Sequence, residues 1–199
     1  MPKNAKKPQI RFKGFTDAWE QRKVSNLFKV ARGYVLPATF TSNKKTIETP
    51  YPVYSSQTKE NGLMGFYKDY LYNDAITWTT DGANAGTVFY RDGKFNCTNV
   101  CGLLKLGDEF DTYFVSLVLA EATKKYVSTN LANPKLMNNT MGSIQIRLPK
   151  LKEQKRISIA FRKLRELLEV HNSLLTEYSK LKQYLLCLLY TSPSPRDIS

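Results

Sequence analysis

The residues of this sequence that could carry chemistry are few and lie far apart. The segment "DGANAG", residues 81–86, places two glycines four positions apart, as in some loops that bind phosphate. It matches neither G-x-G-x-x-G nor G-x-x-x-x-G-K-[ST], and it leads into a predicted strand rather than a helix. A loop between sheet strands, with glycines supplying unusual backbone angles, explains the segment more simply.

Soft metal ligands are equally scattered. Cys97 and Cys101 form "CTNVC", whereas Cys187 and the sole histidine, His171, lie on a distant predicted helix. A zinc site needs four donors in one place, so the two nearby cysteines are interpreted as buried thiols packed on one face of a strand. The sequence has no paired-acid nuclease motif and no glycine pattern for a methyl donor. We therefore expect no catalytic residue, no metal and no cofactor.

Polar loop residues offer a different chemistry, which is the reading of DNA bases. Asn and Gln can pair with adenine, Arg and Lys with guanine, and Ser and Thr can hold phosphates. The candidates for DNA binding are Ser55, Gln57, Thr58, Lys59, Asn61, Thr79, Thr80, Asn84, Arg91 and Lys94. All of these are also ordinary loop residues.

The charge balance points to a polyanionic partner. The chain of 199 residues has 30 Lys and Arg against 17 Asp and Glu, a formal net charge of +13. Positive charge gathers in two clusters that could flank one groove or form two solvated surfaces. One cluster comprises Lys3, Lys6, Lys7, Arg11, Lys13, Arg22, Lys23 and Lys29, and the other Arg147, Lys150, Lys152, Lys155 and Arg156.

The elements that would position these residues follow from local patterns. A short amphipathic helix is predicted over residues 19–31, and several short strands over residues 51–106. Asp92-Gly93 between two alternating runs predicts the two-residue turn of a hairpin. Asp111 is a plausible N-cap of a second helix, and "IQIRLP", residues 144–149, predicts an edge strand that stops at Pro149.

The most regular pattern lies near the C-terminus. Apolar residues repeat with alternating spacings of three and four, which is typical of a coiled-coil seam. The seam comprises Ile157, Ala160, Leu164, Leu167, His171, Leu174, Tyr178, Leu181, Leu185 and Leu188. Such a seam predicts a partner helix, although one helix packed partly on its own domain is also consistent. The Ser/Pro-rich residues 190–199 are predicted to be a disordered tail.

Three segments together resemble a known family. The segment "IRFKGFTDAWEQRKVSNLF" is similar to the start that precedes each target-recognition domain in type I restriction-modification specificity subunits. Residues 51–102 resemble one recurrent class of that domain, and "IRLPKLKEQKRI" is similar to the L-P-x-L-x-E-Q-x-x-I signature of the family's spacer helix. The resemblance covers nearly all of the chain before Tyr190.

This resemblance implies a non-catalytic subunit that reads double-stranded DNA for a methyltransferase (modification) subunit and a restriction/translocase subunit. The family's usual chain has two recognition domains and two helices, whereas this sequence has one of each, as in a half-subunit that forms a homodimer or a truncated chain. We expect an α+β fold, with a mixed sheet and helix recognition domain at 1–146 and a long coiled-coil helix at 147–189. No membrane span is predicted, and the expected compartment is the cytoplasm. An RNA-binding module and a purely structural coiled-coil protein are the alternatives.

Overall fold

The structure is a computed structural model that describes residues 8–56, 59–128 and 133–191. Two of the predicted DNA-binding residues, Gln57 and Thr58, lie outside the described residues, as do Lys3, Lys6 and Lys7. Within the predicted tail, Tyr190 and Thr191 still belong to the last helix, and residues 192–199 are outside the described range.

The chain forms a six-stranded sheet and a separate two-stranded sheet. The strands are β1 (Glu20–Lys23), β2 (Lys29–Arg32), β3 (Tyr51–Tyr54), β4 (Leu63–Tyr67), β5 (Tyr72–Thr79), β6 (Val88–Cys97), β7 (Cys101–Lys105) and β8 (Gln145–Leu148). The larger sheet has the order β2-β7-β5-β6-β3-β4, in which only β3 and β6 are parallel neighbours. Strands β1 and β8 pair with each other in antiparallel register. This confirms the predicted α+β class and the edge strand at "IQIRLP".

The larger sheet is strongly curled. Tyr34, just after β2, bridges Thr98, just after β6, although β7 and β5 separate these two strands in the sheet. The amide of Tyr34 donates to the Cys97 carbonyl at 2.9 Å, and the amide of Gly33 donates to the Cys101 carbonyl at 3.1 Å. The curl encloses a cluster of buried side chains that includes Phe95 and Leu103.

Four α-helices complete the described fold: α1 (Val24–Leu27), α2 (Thr112–Ala122), α3 (Asn138–Ser143) and α4 (Leu151–Thr191). Asp111 caps α2 as predicted, because its carboxylate accepts from the Phe114 amide at 2.8 Å. Helix α2 packs on β6, and it buries Phe114, Val115 and Leu119. The largest buried side chain, Trp78, donates from Nε1 to the Leu136 carbonyl at 2.9 Å, so its polar group is satisfied in the core.

The predicted helix at residues 19–31 is wrong. Only Val24–Leu27 is helical, and the flanking residues form β1 and β2. The apolar spacing reflected burial of Val24 and Phe28, but it did not reveal the strand partners. Those partners are β8 and β7, and the paired residues lie about seventy or more positions apart along the chain.

The predicted hairpin turn at Asp92-Gly93 is also wrong. Both residues lie within the continuous strand β6, opposite an irregularity in β5 between Asn73 and Ala75. Asp74 accepts a hydrogen bond from the Gly93 amide at 2.8 Å, so the local signal belongs to a bulge. The actual turn of this hairpin is the segment between β5 and β6, which contains "DGANAG".

The described residues divide into two compact units, one ending at Arg156 and one beginning at Ile157. Helix α4 begins at Leu151, four residues later than the predicted start at 147. Arg147 and Leu148 instead complete β8, and Pro149 follows that strand.

Candidate nucleic-acid interface

Two connections of the larger sheet meet at one end of it. The β3–β4 connection begins at Ser55, whose amide donates to the Gly62 carbonyl at 2.8 Å. The β5–β6 turn closes through the Thr79 amide, which donates to the Thr87 carbonyl at 3.0 Å. The two connections are joined because Thr79 Oγ1 donates to the Ser56 carbonyl at 3.2 Å. We call residues 55–62, of which 57 and 58 lie outside the described residues, and residues 80–87 together the reading loops, because they contain most of the residues predicted to read DNA bases.

The reading loops present polar side chains to solvent. Lys59, Asn61 and Asn84 are exposed, and Ser55 is half-buried beside Thr98. Glu60 and Asn61 both have positive φ, 48° and 55°, a conformation that non-glycine residues rarely adopt and that costs free energy. In the turn, Gly82 and Gly86 also have positive φ, which supports the interpretation of "DGANAG" as a loop between strands.

Three predicted DNA-binding residues are buried instead. Thr79 and Thr80 are buried where β5 enters the turn, and Thr80 Oγ1 donates to the Val100 carbonyl at 2.8 Å. Arg91 is only 4% exposed. The expectation that these three side chains contact DNA is therefore wrong for this structure, because they are buried and a duplex could not reach them.

Arg91 fills the interior of the curled sheet. Its guanidinium carbon lies 3.7 Å from the Tyr54 ring centroid and 4.2 Å from that of Phe89, and its Nε donates to Thr77 Oγ1 at 2.9 Å. Burial lowers the pKa of Arg91 to about 10, so the side chain remains charged at neutral pH. Two aromatic faces and a hydroxyl offset part of the cost of burying that charge.

Lys94 lies apart from the reading loops. It pairs with Asn73 at the start of β5, whereas the reading loops follow the end of that strand. Its Nζ lies 4.5 Å from the Tyr70 ring centroid, and hydrogen bonding to Tyr70 raises the pKa of Lys94. Lys94 and the reading loops therefore belong to two different regions of the surface.

The cysteines near Arg91 are core residues. Cys97 and Cys101 are both buried in the curled sheet, on β6 and β7 rather than on one strand as predicted. Burial raises the pKa of the Cys101 thiol to about 11 and raises that of Cys97 further, so both are protonated at neutral pH. Among the described residues, no group of three or more His, Cys, Asp or Glu side chains is placed to hold a metal ion.

The start of α4 is anchored by a cluster that the sequence analysis missed. Arg11 donates to both carboxylate oxygens of Glu153, from Nη2 at 2.6 Å and from Nε at 2.8 Å. Trp19 Nε1 lies 3.4 Å from the same carboxylate, and the hydrogen bond to Glu153 raises the pKa of Arg11. Beside this cluster, Gln154 accepts from the Asp111 amide at 2.9 Å and donates to the Pro149 carbonyl at 2.8 Å.

This Arg11–Glu153 cluster gives the first and third sequence motifs a physical role. Arg11 and Trp19 belong to the first motif and Glu153 and Gln154 to the third, yet the sequence analysis used them only as marks of resemblance. One feature of the sequence could have indicated this ion pair. Glu153 is an acid within a basic cluster, which comprises Lys150, Lys152, Lys155 and Arg156. An acid that is 2% exposed there indicates a paired, structural carboxylate.

Replacing Glu153 with alanine is expected to lower the Tm of the folded chain by about 4 °C or more, because it leaves the Arg11 guanidinium without its bidentate partner. Thermal unfolding at fixed protein concentration measures it. Glu166→Ala, at an exposed position of the same helix, is the matched control and should change Tm by no more than about 2 °C. Equal Tm values for the two variants would contradict a stabilising role of the cluster.

Along the rest of α4 the predicted seam is open to solvent in this single chain. Its apolar members from Leu164 to Leu188 are 46–68% exposed, and His171 is exposed as well. A second apolar line, formed by Phe161, Leu168, Leu175 and Leu189, runs one residue after the seam and is also exposed. The apolar stripe is thus wider than a two-residue seam. Among the described residues no helix has both the length and the apolar character to span a membrane.

The family follows from comparison with known sequences. Residues 16–178 match the model of the type I restriction modification DNA specificity domain. This chain belongs to that family, whose members determine the DNA specificity of type I restriction-modification systems.

Relatives in Mycoplasma pneumoniae agree with this assignment. The chain is 40% identical over 138 residues to a protein named as the N-terminus of a candidate type I specificity subunit, covering 68% of this chain and 72% of that protein. It is 35% identical over 151 residues to the specificity subunit of the type I restriction enzyme MpnII, covering 73% of this chain and 44% of the relative.

Solved structures share the fold. The S subunit of a type I restriction-modification system from M. genitalium superposes with a TM-score of 0.69 at 18% identity, over 92% of this chain and 48% of that one. The HsdS subunit of Thermoanaerobacter tengcongensis gives a TM-score of 0.58 at 11% identity, over 92% and 46%. The chain therefore spans about half the length of these specificity subunits, and it shares with them the fold of a sheet domain followed by a long helix.

Proposed function

We propose that this chain binds double-stranded DNA sequence-specifically and directs a type I restriction-modification complex to its target. The observation that carries the proposal is membership of the DNA specificity family across residues 16–178, in a chain whose reading loops are exposed and polar. Ser55, Lys59, Asn61 and Asn84 are our candidates for contact with base edges, together with Gln57 and Thr58 of the same connection. Side chains of these types distinguish base pairs best in the major groove.

The basic clusters support the binding of the DNA backbone. Lys13, Arg22, Lys23 and Lys29 are exposed in the N-terminal region, and Lys152 and Lys155 are exposed near the start of α4. Cations at a protein surface gain affinity for duplex DNA by releasing condensed counterions, whatever the base sequence. In our proposal these residues position the domain, and the reading loops supply specificity.

The exposed stripe of α4 supports a role in assembly. We propose that a second copy of this chain packs on the seam, which would bring two recognition domains to one DNA molecule. The second apolar line could pack against a further helix, and we assign that helix to the methyltransferase subunit. The restriction/translocase subunit would join through that complex. In this scheme the chain itself performs no catalysis and works in the cytoplasm.

The test of this function has two parts. The chain should bind a labelled pool of random duplex DNA, and unlabelled duplex should compete far better than single-stranded RNA of equal length. RNA as the better competitor would favour the RNA-binding alternative. Mixed with its cognate modification subunit, the chain should then produce adenine methylation at one recurrent genomic sequence. Binding without preference between duplexes, together with methylation at no common sequence, would refute the specificity role.

A further inference from the structure

A short loop ahead of β3 carries an apolar side chain at its tip. Ile47 is 99% exposed, more than any other large apolar side chain that the structure describes. Lys44 and Lys45 precede it and are exposed, and Glu48 is the one acid of the loop. Single exposed apolar residues are common on protein surfaces, so the setting of this one decides its meaning.

The loop is held in shape by its own side chains. The hydroxyls of Thr46 and Thr49 lie 2.8 Å apart, the Thr49 amide donates to Thr46 Oγ1 at 3.0 Å, and Ser42 Oγ donates to the Lys44 carbonyl at 2.8 Å. The tip is therefore preorganised, and Ile47 is itself β-branched with few rotamers. Little conformational entropy remains to be lost when this tip binds a partner.

The base of the loop is fixed to the sheet. Ser42 and Phe66 exchange two backbone hydrogen bonds of 2.8 Å each. Gly65 permits this approach, because a Cβ there would lie 2.8 Å from the Ser42 carbonyl oxygen. The loop thus projects from β4 and β3, the same pair of strands whose other connection is a reading loop.

The chemistry of the tip matches the minor groove of duplex DNA. Minor-groove proteins insert apolar side chains such as Ile between base steps, while neighbouring lysines contact the phosphates on either side. Lys44 and Lys45 beside Ile47 provide this combination, in a chain of net charge +13. A partner protein would favour an apolar patch, whereas Ile47 is the one apolar residue within 42–49, and Lys44, Lys45 and Glu48 of the same loop are exposed charges.

The spacing along β3 fits a duplex. Four residues of extended strand separate the two connections by about 13 Å, and each loop extends further from its end. One helical turn of DNA is about 34 Å long. On the face of a duplex that meets the protein, the minor groove therefore lies roughly 17 Å along the helix axis from the major groove. Resting on the proposed function, we propose that residues 42–49 insert Ile47 into the minor groove adjacent to the major groove contacted by the reading loops.

The test compares the full chain with Ile47→Ala, on a duplex selected from a random pool by the wild-type chain. Dimethyl sulfate modifies adenine N3 in the minor groove and guanine N7 in the major groove, so one footprint reports both contacts. The wild type should protect both atoms. The variant should lose protection of adenine N3, keep that of guanine N7, and bind about five- to twentyfold more weakly with an unchanged salt slope. Val35→Ala, another exposed apolar position, is the control and should match the wild type.

The outcomes separate this proposal from the function it rests on. Duplex binding by the wild type with the same adenine N3 protection in Ile47→Ala would overturn the minor-groove contact and leave DNA recognition intact. Wild-type chain that binds no duplex would overturn both. Because Ile47 is almost fully exposed, the variant is expected to keep the wild-type Tm, and loss of both footprints with an unchanged Tm would also contradict the proposed division between grooves.

Discussion

The affinity of this chain for duplex DNA is expected to fall by about ten- to a thousandfold between 50 and 200 mM monovalent salt. If about four phosphates are neutralised, the logarithm of the association constant should decrease with a slope near −3.6 against the logarithm of salt concentration. Fluorescence anisotropy with a labelled duplex, titrated at four or more salt concentrations, measures this slope. The cause is the release of counterions from DNA when exposed lysines and arginines contact its phosphates.

A matched pair of variants locates the contacts. Lys59→Gln removes one exposed charge from the reading loops, and Lys180→Gln removes one from the exposed part of α4. The first should reduce the magnitude of the slope by about one if Lys59 contacts a phosphate, or relax sequence preference if it contacts a base. The second should leave slope and preference unchanged. Affinity that does not change with salt would argue against DNA as the partner, and equal effects of both variants would argue against the reading loops as the point of contact.

Charged substitutions in the seam of α4 are expected to abolish self-association. The wild-type chain should have about twice the monomer mass of 22.8 kDa, and Leu174→Glu with Leu181→Glu should return it to the monomer mass. In a dimer the two substitutions place four carboxylates at an apolar interface and remove four buried leucines. Burial of each leucine contributes about 1.5–3 kcal/mol, so the dissociation constant should rise by at least about a thousandfold. Light scattering coupled to size-exclusion chromatography reports the mass directly.

The control for this prediction carries the same added charge away from the seam. Ser173→Glu with Gln183→Glu lies at exposed positions outside the seam and should retain the doubled mass. A monomeric wild type at tens of micromolar, or a double mass in the Leu174 and Leu181 variant, would refute homodimerisation through the seam. The first of these outcomes would leave α4 as a binding surface for other subunits only.

Local patterns predicted some elements of this fold well. The N-cap at Asp111 and the long helix α4 were correct, because a helix is built from contacts three and four residues apart, which the order of residues displays. The helix at residues 19–31 failed for the opposite reason. Its flanks pair with β7 and β8, and pairing across such separations leaves no periodic trace in the neighbourhood of Glu20 or Lys29. The hairpin turn predicted at Asp92-Gly93 failed for the same reason, because the Gly93 amide is bound by Asp74 of the neighbouring strand.

The predictions for the candidate interface were also partly right and partly wrong, and burial makes the difference. Residue types named Ser55, Lys59, Asn61 and Asn84 as possible base readers, and the structure leaves these side chains at least partly accessible on the reading loops. Types alone named Arg91 and Thr80 equally, but both side chains are buried, and Arg91 has aromatic rings where a solvated arginine would have water. A residue's type permits a role, whereas burial decides whether a partner can reach it.

By itself the sequence determined the charge of the molecule, its α+β class, its long apolar-striped helix and, through three motifs, its family. These properties depend on composition and on short-range spacing. The tertiary structure decided which polar residues are accessible, brought Arg11 of the first motif to Glu153 of the third, and placed Ile47 at an exposed tip. Those features depend on how distant segments meet, and the free energy of such contacts is set by geometry that no local stretch of sequence contains.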